Sequence, residues 1–112
     1  MAAVANLSID QGATFTSDIT VKDVEGTVFN LTGYTAVAKL AKGYSSTRTR
    51  TTMSTTFATD RTTGVLTISL TANQTAALDA ERYVYDVEIV SPTSEVTRVL
   101  EGIITVRPEV SI

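Results

Sequence analysis

Three carboxylates are the best-spaced candidates for chemistry in this sequence. Asp86 and Glu88 stand two residues apart, so a strand would place both on one face. Glu101 is expected to approach them from the following strand. Paired carboxylates hold a cation or serve as the acid and base of glycoside hydrolysis. We favour a simpler interpretation, a solvated strand face whose carboxylates form surface ion pairs. The arginines near enough to form such pairs are Arg82, Arg98 and Arg107.

Histidine and cysteine are both absent from the 112 residues. Their absence removes the commonest general base, the usual nitrogen and sulfur metal ligands, and the standard nucleophilic triads. The three lysines, Lys22, Lys39 and Lys42, fall in turns or on exposed strand positions, where nothing activates an amine. No calcium-loop pattern occurs either. We therefore expect a protein that is not an enzyme, with no catalytic residue, no metal and no cofactor.

The charge balance argues against a nucleic-acid partner, and the length of the apolar runs argues against a membrane partner. The net charge is −3, and the nine Lys and Arg residues are spread along the chain, whereas a nucleic-acid binder needs a concentrated basic face. The densest basic stretch, residues 39–50, has Tyr44 as its only aromatic residue. No apolar run approaches the roughly 18 residues of a membrane span, and residues 1–6 lack the pattern of a signal peptide. We expect a soluble protein that is made in a cytoplasm and is not secreted by a signal peptide.

Alternation of apolar and polar residues is the main structural signal. It extends over residues 13–23, 64–71 and 82–90, and 21 of the 112 residues are threonine, which suits the exposed face of a strand. Tyr83 and Tyr85 share one face of such a strand, and we expect both in the core. Strands are predicted over 6–10, 13–23, 34–42, 49–58, 64–71, 82–90 and 95–107.

A short helix is predicted over 72–80, because Thr71 and Gln74 have the spacing of a capping box. About seven short strands with this spacing are typical of an immunoglobulin-like antiparallel β-sandwich. The predicted fold is therefore all-β, with the helix crossing between the two layers. Residues 1–112 are expected to form a single domain, and the segment 43–60 is the least specified part of it.

Five stretches carry a resemblance to a known family. They are residues 11–15 (QGATF), 30–35 (NLTGYT), 71–78 (TANQTAAL), 82–89 (RYVYDVEI) and 96–110 (VTRVLEGIITVRPEV). In this order they resemble a family of small bacteriophage structural domains, similar to the immunoglobulin-like N-terminal domain of phage baseplate upper proteins. The resemblance implies a sandwich inside a virion that fastens other parts to the tail, baseplate or head. It implies no catalytic residues.

The chain termini are the predicted docking elements. Edge strands of a sandwich leave unpaired backbone groups that a neighbour can bond by strand addition. We expect the segments 2–10 and 107–112 to reach out, and Pro108 to end any ladder pairing because it lacks an N–H. The predicted docking residues are Val4, Leu7, Ile9, Arg107, Pro108, Val110 and Ile112.

Three functions remain open from the sequence. The first is a non-enzymatic virion protein that docks to tail, baseplate or fibre components in several copies per particle. The second is a head decoration protein that binds the major capsid protein. The third, of another class, is a glycan- or host-surface-binding module, for which Tyr44 is the one aromatic residue clearly outside a strand.

Overall fold

The computed structural model describes residues 3–45 and 47–111. Within these ranges the chain forms eight strands, one short α-helix and one 3₁₀ turn. The strands are β1 (Ala3–Val4), β2 (Leu7–Asp10), β3 (Phe15–Thr20), β4 (Thr35–Ala41), β5 (Thr51–Phe57), β6 (Val65–Leu70), β7 (Arg82–Val90) and β8 (Val96–Arg107). The 3₁₀ turn (Arg61–Thr63) precedes β6, and the helix α1 (Ala72–Ala76) connects β6 to β7.

All seven predicted strands are present, in the predicted order, as β2 to β8. The two-residue strand β1 was not predicted. The strand β3 is shorter than the alternating segment 13–23 at both ends. At its start, residues 10–13 form a turn in which the Ala13 N–H donates to the Asp10 carbonyl at 3.1 Å. Beyond its end, Lys22 forms only an isolated bridge with Val28. The segment 43–60 contains β5, so part of it is regular structure.

The helix α1 begins where the sequence predicts it and ends earlier. The Thr71 side chain accepts a hydrogen bond from the Gln74 N–H at 3.2 Å, and the Gln74 side chain accepts one from the Thr71 N–H at 2.8 Å. This reciprocal pair is the predicted capping box. The helix stops at Ala76 rather than continuing to residue 80, and the next buried side chain, Leu78, packs into the core.

The strands form one continuous, curled sheet in the order β1-β8-β7-β4-β5-β6-β3, and β2 also pairs with β8. The pairing partner changes within β5, because residues 51–53 pair with β4 whereas residues 54–57 pair with β6. Buried side chains from β2 to β8 meet in one core. The fold is all-β, as the alternation predicts.

The prediction of a purely antiparallel sheet is wrong for the first two strands. β1 and β2 run parallel to β8, with Ala3 beside Leu100 and Ile9 beside Val106. Alternation predicts which side chains of a strand face the core, but it does not encode the direction of the neighbouring strand. The curled sheet is therefore mixed.

The core faces of the strands agree with the alternation. The side chains of Tyr83, Tyr85, Val87 and Ile89 are all buried, as are those of Leu66, Ile68 and Leu70 on β6. Burial of each large apolar side chain contributes about 1.5–3 kcal/mol to folding. Both tyrosines lie in the core as predicted. Their hydroxyls are satisfied at its margin, where the Tyr83 oxygen accepts from the Asp79 N–H at 2.9 Å and Tyr85 donates to the Ala5 carbonyl at 2.6 Å.

A buried threonine fastens α1 to the turn before β3. The Thr75 hydroxyl accepts from the Gly12 N–H at 3.0 Å and lies 2.8 Å from the Ala13 carbonyl, to which it donates. Nearby, the Gln11 side chain donates to the Leu78 carbonyl at 2.7 Å. The sequence stretches 11–15 and 71–78 are therefore in direct contact in the folded chain.

The join between β1 and β2 depends on a glycine in β8. The Ala5 N–H donates to the Glu101 carbonyl at 2.9 Å, and the Asn6 side chain accepts from the Ile103 N–H at 3.1 Å. A Cβ atom added at Gly102 would overlap the Ala5 carbonyl oxygen. Only glycine lets the N-terminal segment lie this close to β8.

Candidate functional site

The three carboxylates singled out in the sequence lie together on the outer face of β7 and β8. Asp86 stands directly opposite Glu101 in the antiparallel register. The Arg98 guanidinium lies between them, 3.3 Å from an Asp86 oxygen and 3.5 Å from a Glu101 oxygen. This is the predicted surface ion pair. In the described part of the chain, no cluster of three acidic side chains has the arrangement of a metal site.

Of the other two arginines predicted to form ion pairs, Arg107 forms one, with Asp10, and Arg82 forms none within the described residues. Arg107 lies 3.9 Å from Asp10 across the parallel β2–β8 pair, which is an exposed contact of small energetic value. Arg82 forms no ion pair with any residue that the structure describes.

Lys42 lies at the end of β4 beside two carboxylates. Its amine contacts Asp79 and lies 3.0 Å from Glu81. Hydrogen bonds that the amine donates to Asp79 first and Glu81 second raise the pKa of Lys42 above its ordinary value. The amine is thus held in its charged form, which is not nucleophilic.

The N-terminal docking residues do not project from the fold as predicted. Ile9 is fully buried in the core, so its side chain is not accessible to a partner, and Leu7 is half-buried against the same core. The cause is the pairing of β2 with β8, which turns alternate side chains of β2 inward. Val4 is 73% exposed and remains a candidate.

The C-terminal docking residues are accessible where the structure describes them. Arg107 and Pro108 are exposed, and Val110 is 95% exposed. The tail is held at its base, where the Glu109 N–H donates to the Gln11 side chain at 3.3 Å. Ile112 lies outside the described residues.

An apolar groove of about 600 Å³ lies at one end of the curled sheet. Here β3 and its continuation diverge from β8 and β1. One wall consists of residues 19–24, and the other is formed by Ala3, Thr97, Val99 and Leu100. Phe29 and Ile89 complete the lining. Val24 stands at the rim and is 86% exposed.

A β-bulge shapes the second wall of this groove. Val87 stands opposite Leu100 and Glu88 opposite Arg98, so Val99 is an extra residue in β8. Adjacent residues of a regular strand point to opposite faces, and a bulge changes the direction of a side chain locally. Val99 and Leu100 consequently both line the groove.

A second, shallower surface surrounds Tyr44. Its side chain is 65% exposed beside a polar depression that includes Lys39, Asp86 and Glu88. Arg50 holds the loop in place, because its guanidinium donates to the carbonyls of Tyr44, at 3.1 Å, and Ser45, at 2.7 Å. The sequence identified Tyr44 but not this contact.

Sequence reasoning missed the groove for two reasons. The bulge at Val99 has no unambiguous signature in the sequence of β8, and the groove depends on how β3 and β8 are placed in the folded chain. The strand contains two pairs of consecutive apolar residues, 99–100 and 103–104, of which only the first coincides with the bulge. Such a pair is typical of a bulge but does not indicate which residue is inserted.

Comparison with known proteins leaves the family open. No protein-family model matches the chain, and no curated protein matches it. Among solved structures, an internalin-like protein of Listeria monocytogenes is similar, with 16% sequence identity and a TM-score of 0.48. The match covers 95% of this chain and 28% of that protein's chain. A likeness of this degree carries no conclusion about function. No helix among the described residues is long and apolar enough to cross a membrane.

Proposed function

We propose that this protein is a non-enzymatic docking module of a bacteriophage virion that attaches to tail, baseplate or fibre components. The observation that carries the proposal is the open apolar groove between β3 and β8. Exposed apolar surface marks interaction sites, and the occupant we propose for this groove is a protein. Asp86, Glu101 and Lys42, which are among the side chains best suited to chemistry, are already held in ion pairs on the surface.

An immunoglobulin-like sandwich is part of the same proposal. Two features support this part of the proposal: β5 changes its partner from β4 to β6, and α1 connects β6 to β7. The virion assignment is supported by the five stretches that resemble phage structural domains. Two of them, 11–15 and 71–78, form the Thr75 junction described above.

The docking elements proposed are the groove, Val4, and the C-terminal residues Arg107, Pro108 and Val110. The groove supplies apolar area, and the tail supplies exposed side chains beyond the last ladder pair. Ile112 belongs to the same tail in the sequence. We expect several copies per particle, virion proteins as the partners, and synthesis in the host cytoplasm.

The decisive experiment is to locate the chain in purified particles by mass spectrometry and a particle map. A small copy number that follows the symmetry of the tail supports tail, baseplate or fibre attachment. A copy number matching the capsid lattice would instead identify a head decoration protein. Absence of the chain from intact particles would contradict a virion role.

Glycan binding is the second candidate function, and the exposed Tyr44 ring beside a polar depression favours it. Aromatic faces with neighbouring polar groups suit sugar rings. A glycan array with the wild-type chain and the Tyr44→Ala variant tests this function. Binding that is lost in Tyr44→Ala would favour glycan recognition over a purely structural role, whereas an array without signal would remove this candidate.

A further inference from the structure

The outer edge of β3 offers backbone groups that no strand in the described part of the chain uses. The Val21 N–H donates to the Gly64 carbonyl at 2.8 Å, in continuation of the β3–β6 ladder. Alternate residues of an antiparallel strand direct their N–H and C=O groups to the same neighbour. The odd-numbered residues of β3 therefore bond to β6, and the even-numbered Thr16, Asp18 and Thr20 direct their groups outward.

Lys22 extends this free edge beyond the end of β3. The Val21 carbonyl accepts from the Phe29 N–H at 2.9 Å, and the Asp23 N–H donates to the Thr27 carbonyl at 2.9 Å. Because the residues on both sides of it bond to segment 27–29, the N–H and C=O of Lys22 point the other way. The free edge thus runs from residue 16 to residue 22.

The side chains along this edge carry opposite charges four residues apart. Asp18, Thr20 and Lys22 are all exposed and share one face. Asp18 accepts a hydrogen bond from the Thr67 hydroxyl at 2.7 Å. Neither Asp18 nor Lys22 has an oppositely charged partner within ion-pair distance in the part of the chain that the structure describes.

The order of Asp18 and Lys22 along the free edge of β3 determines which charges a pairing strand must carry. An antiparallel strand presents its residues in reverse order, so it needs an acidic residue opposite Lys22 and, four positions later, a basic residue opposite Asp18. The chain's own β3 segment has this order. We propose that a second copy of this chain pairs with β3 in antiparallel fashion, about a twofold axis at Thr20.

In this register, residues equally distant from Thr20 face each other. Asp18 of each copy lies opposite Lys22 of the other, which gives two cross-strand ion pairs of favourable sign. An axis at Asp18 would place the two carboxylates opposite each other and is disfavoured. The groove adjoins this edge, since residues 19–24 form one of its walls.

Self-association rests on the proposed docking function and names the occupant of the β3 side of the groove. Self-association and the virion role are tested separately. A chain that is monomeric in solution but present in particles would overturn the pairing and leave the virion role intact.

Sedimentation equilibrium of the full chain over a wide concentration range tests the pairing. We expect a reversible monomer–dimer equilibrium. Asp18→Lys and Lys22→Asp should each raise the dimer dissociation constant about tenfold, because each places like charges opposite one another. The double variant Asp18→Lys/Lys22→Asp should restore the wild-type constant, since both pairs re-form with their charges exchanged. Glu95→Lys, with the same charge change on an exposed residue outside β3, is the matched control and should have no effect.

Thr20→Pro provides a test that does not depend on charge. It removes an outward N–H at the axis and leaves the ladder to β6 intact, so the dimer should be lost while the thermal midpoint changes little. If this variant does not fold, the charge variants still decide the question. A wild-type chain that remains monomeric at every concentration, or a dimer that tolerates both single reversals, would overturn the proposal.

Discussion

The Tyr85 hydroxyl connects the core strand β7 to the N-terminal segment. It donates to the Ala5 carbonyl at 2.6 Å, and the ring is almost fully buried. Tyr85→Phe keeps the ring and removes this bond, so we expect a loss of about 1 kcal/mol in the free energy of unfolding. Urea titration followed by circular dichroism measures it. A Tyr44→Phe control, at an exposed ring, should leave the midpoint unchanged.

The same residue predicts how stability depends on alkaline pH. Burial raises the pKa of Tyr85 to about 12 from the ordinary value of 10.0. The folded state therefore retains the proton more tightly than the unfolded state. The resulting stabilisation is complete below pH 10 and is lost as the pH rises through 12. The decline in unfolding free energy over this range should be shallower in Tyr85→Phe, and an unchanged slope would contradict the assignment.

An added methyl group at Gly102 should destabilise the pairing of β1 with β8. A Cβ there overlaps the Ala5 carbonyl oxygen, whereas a Cβ at Gly43 finds its nearest neighbour, Arg48, at an ordinary 3.6 Å. We expect Gly102→Ala to cost about 1–3 kcal/mol by displacing β1 from β8. Gly43→Ala should be close to neutral. Thermal unfolding of the two variants, with hydrogen exchange at Ala5, separates these outcomes.

At the scale of elements, α1 is too short to persist alone. It depends on its cap and on the Thr75 hydroxyl, which bonds to Gly12 and Ala13. Thr75→Val keeps the shape but leaves the Gly12 N–H without this acceptor, so we expect a loss of about 1–3 kcal/mol. Asn73→Ala, on the exposed side of the helix, is the control. Equal stability of the two variants in chemical denaturation would show that the junction is dispensable.

Elements whose faces differ in polarity could be predicted from the sequence, and their arrangement could not. Strands such as β6 and β7 have a two-residue period over most of their length, which a half-buried strand requires. The capping box also has a local signature. The direction of β2 relative to β8 has none, because an inward-facing Ile9 satisfies either orientation. The prediction that the segment 2–10 reaches out to a partner is therefore wrong for Ile9, which lies in the core.

The candidate site was less predictable than the fold. The exposed tail residue Val110 followed from its position beyond Pro108. The groove did not, because it requires both the divergence of β3 from β8 and the inserted residue Val99. Both are properties of tertiary packing rather than of local sequence.

At the scale of the whole molecule, the N-terminal segment completes the domain. Removing residues 1–10 deletes the fully buried Ile9 and uncovers the edge of β8. We expect the truncated chain to lose at least about 3 kcal/mol in unfolding free energy and to aggregate. Differential scanning calorimetry and light scattering report these effects. Val4→Ala, at an exposed side chain, should match the wild type.

The parallel contact between β2 and β8 also determines how the domain resists pulling. Ala3 of β1 lies beside Leu100 and Asp10 of β2 lies beside Arg107, so β1 and β2 together run parallel to β8 from residue 100 to its end. A force that draws the N-terminus and the C-terminus apart would slide these strands along each other. It would load the two register pairs of β1 and the four of β2 together rather than one after another. The terminal strands are thus arranged for shear rather than for opening one pair at a time.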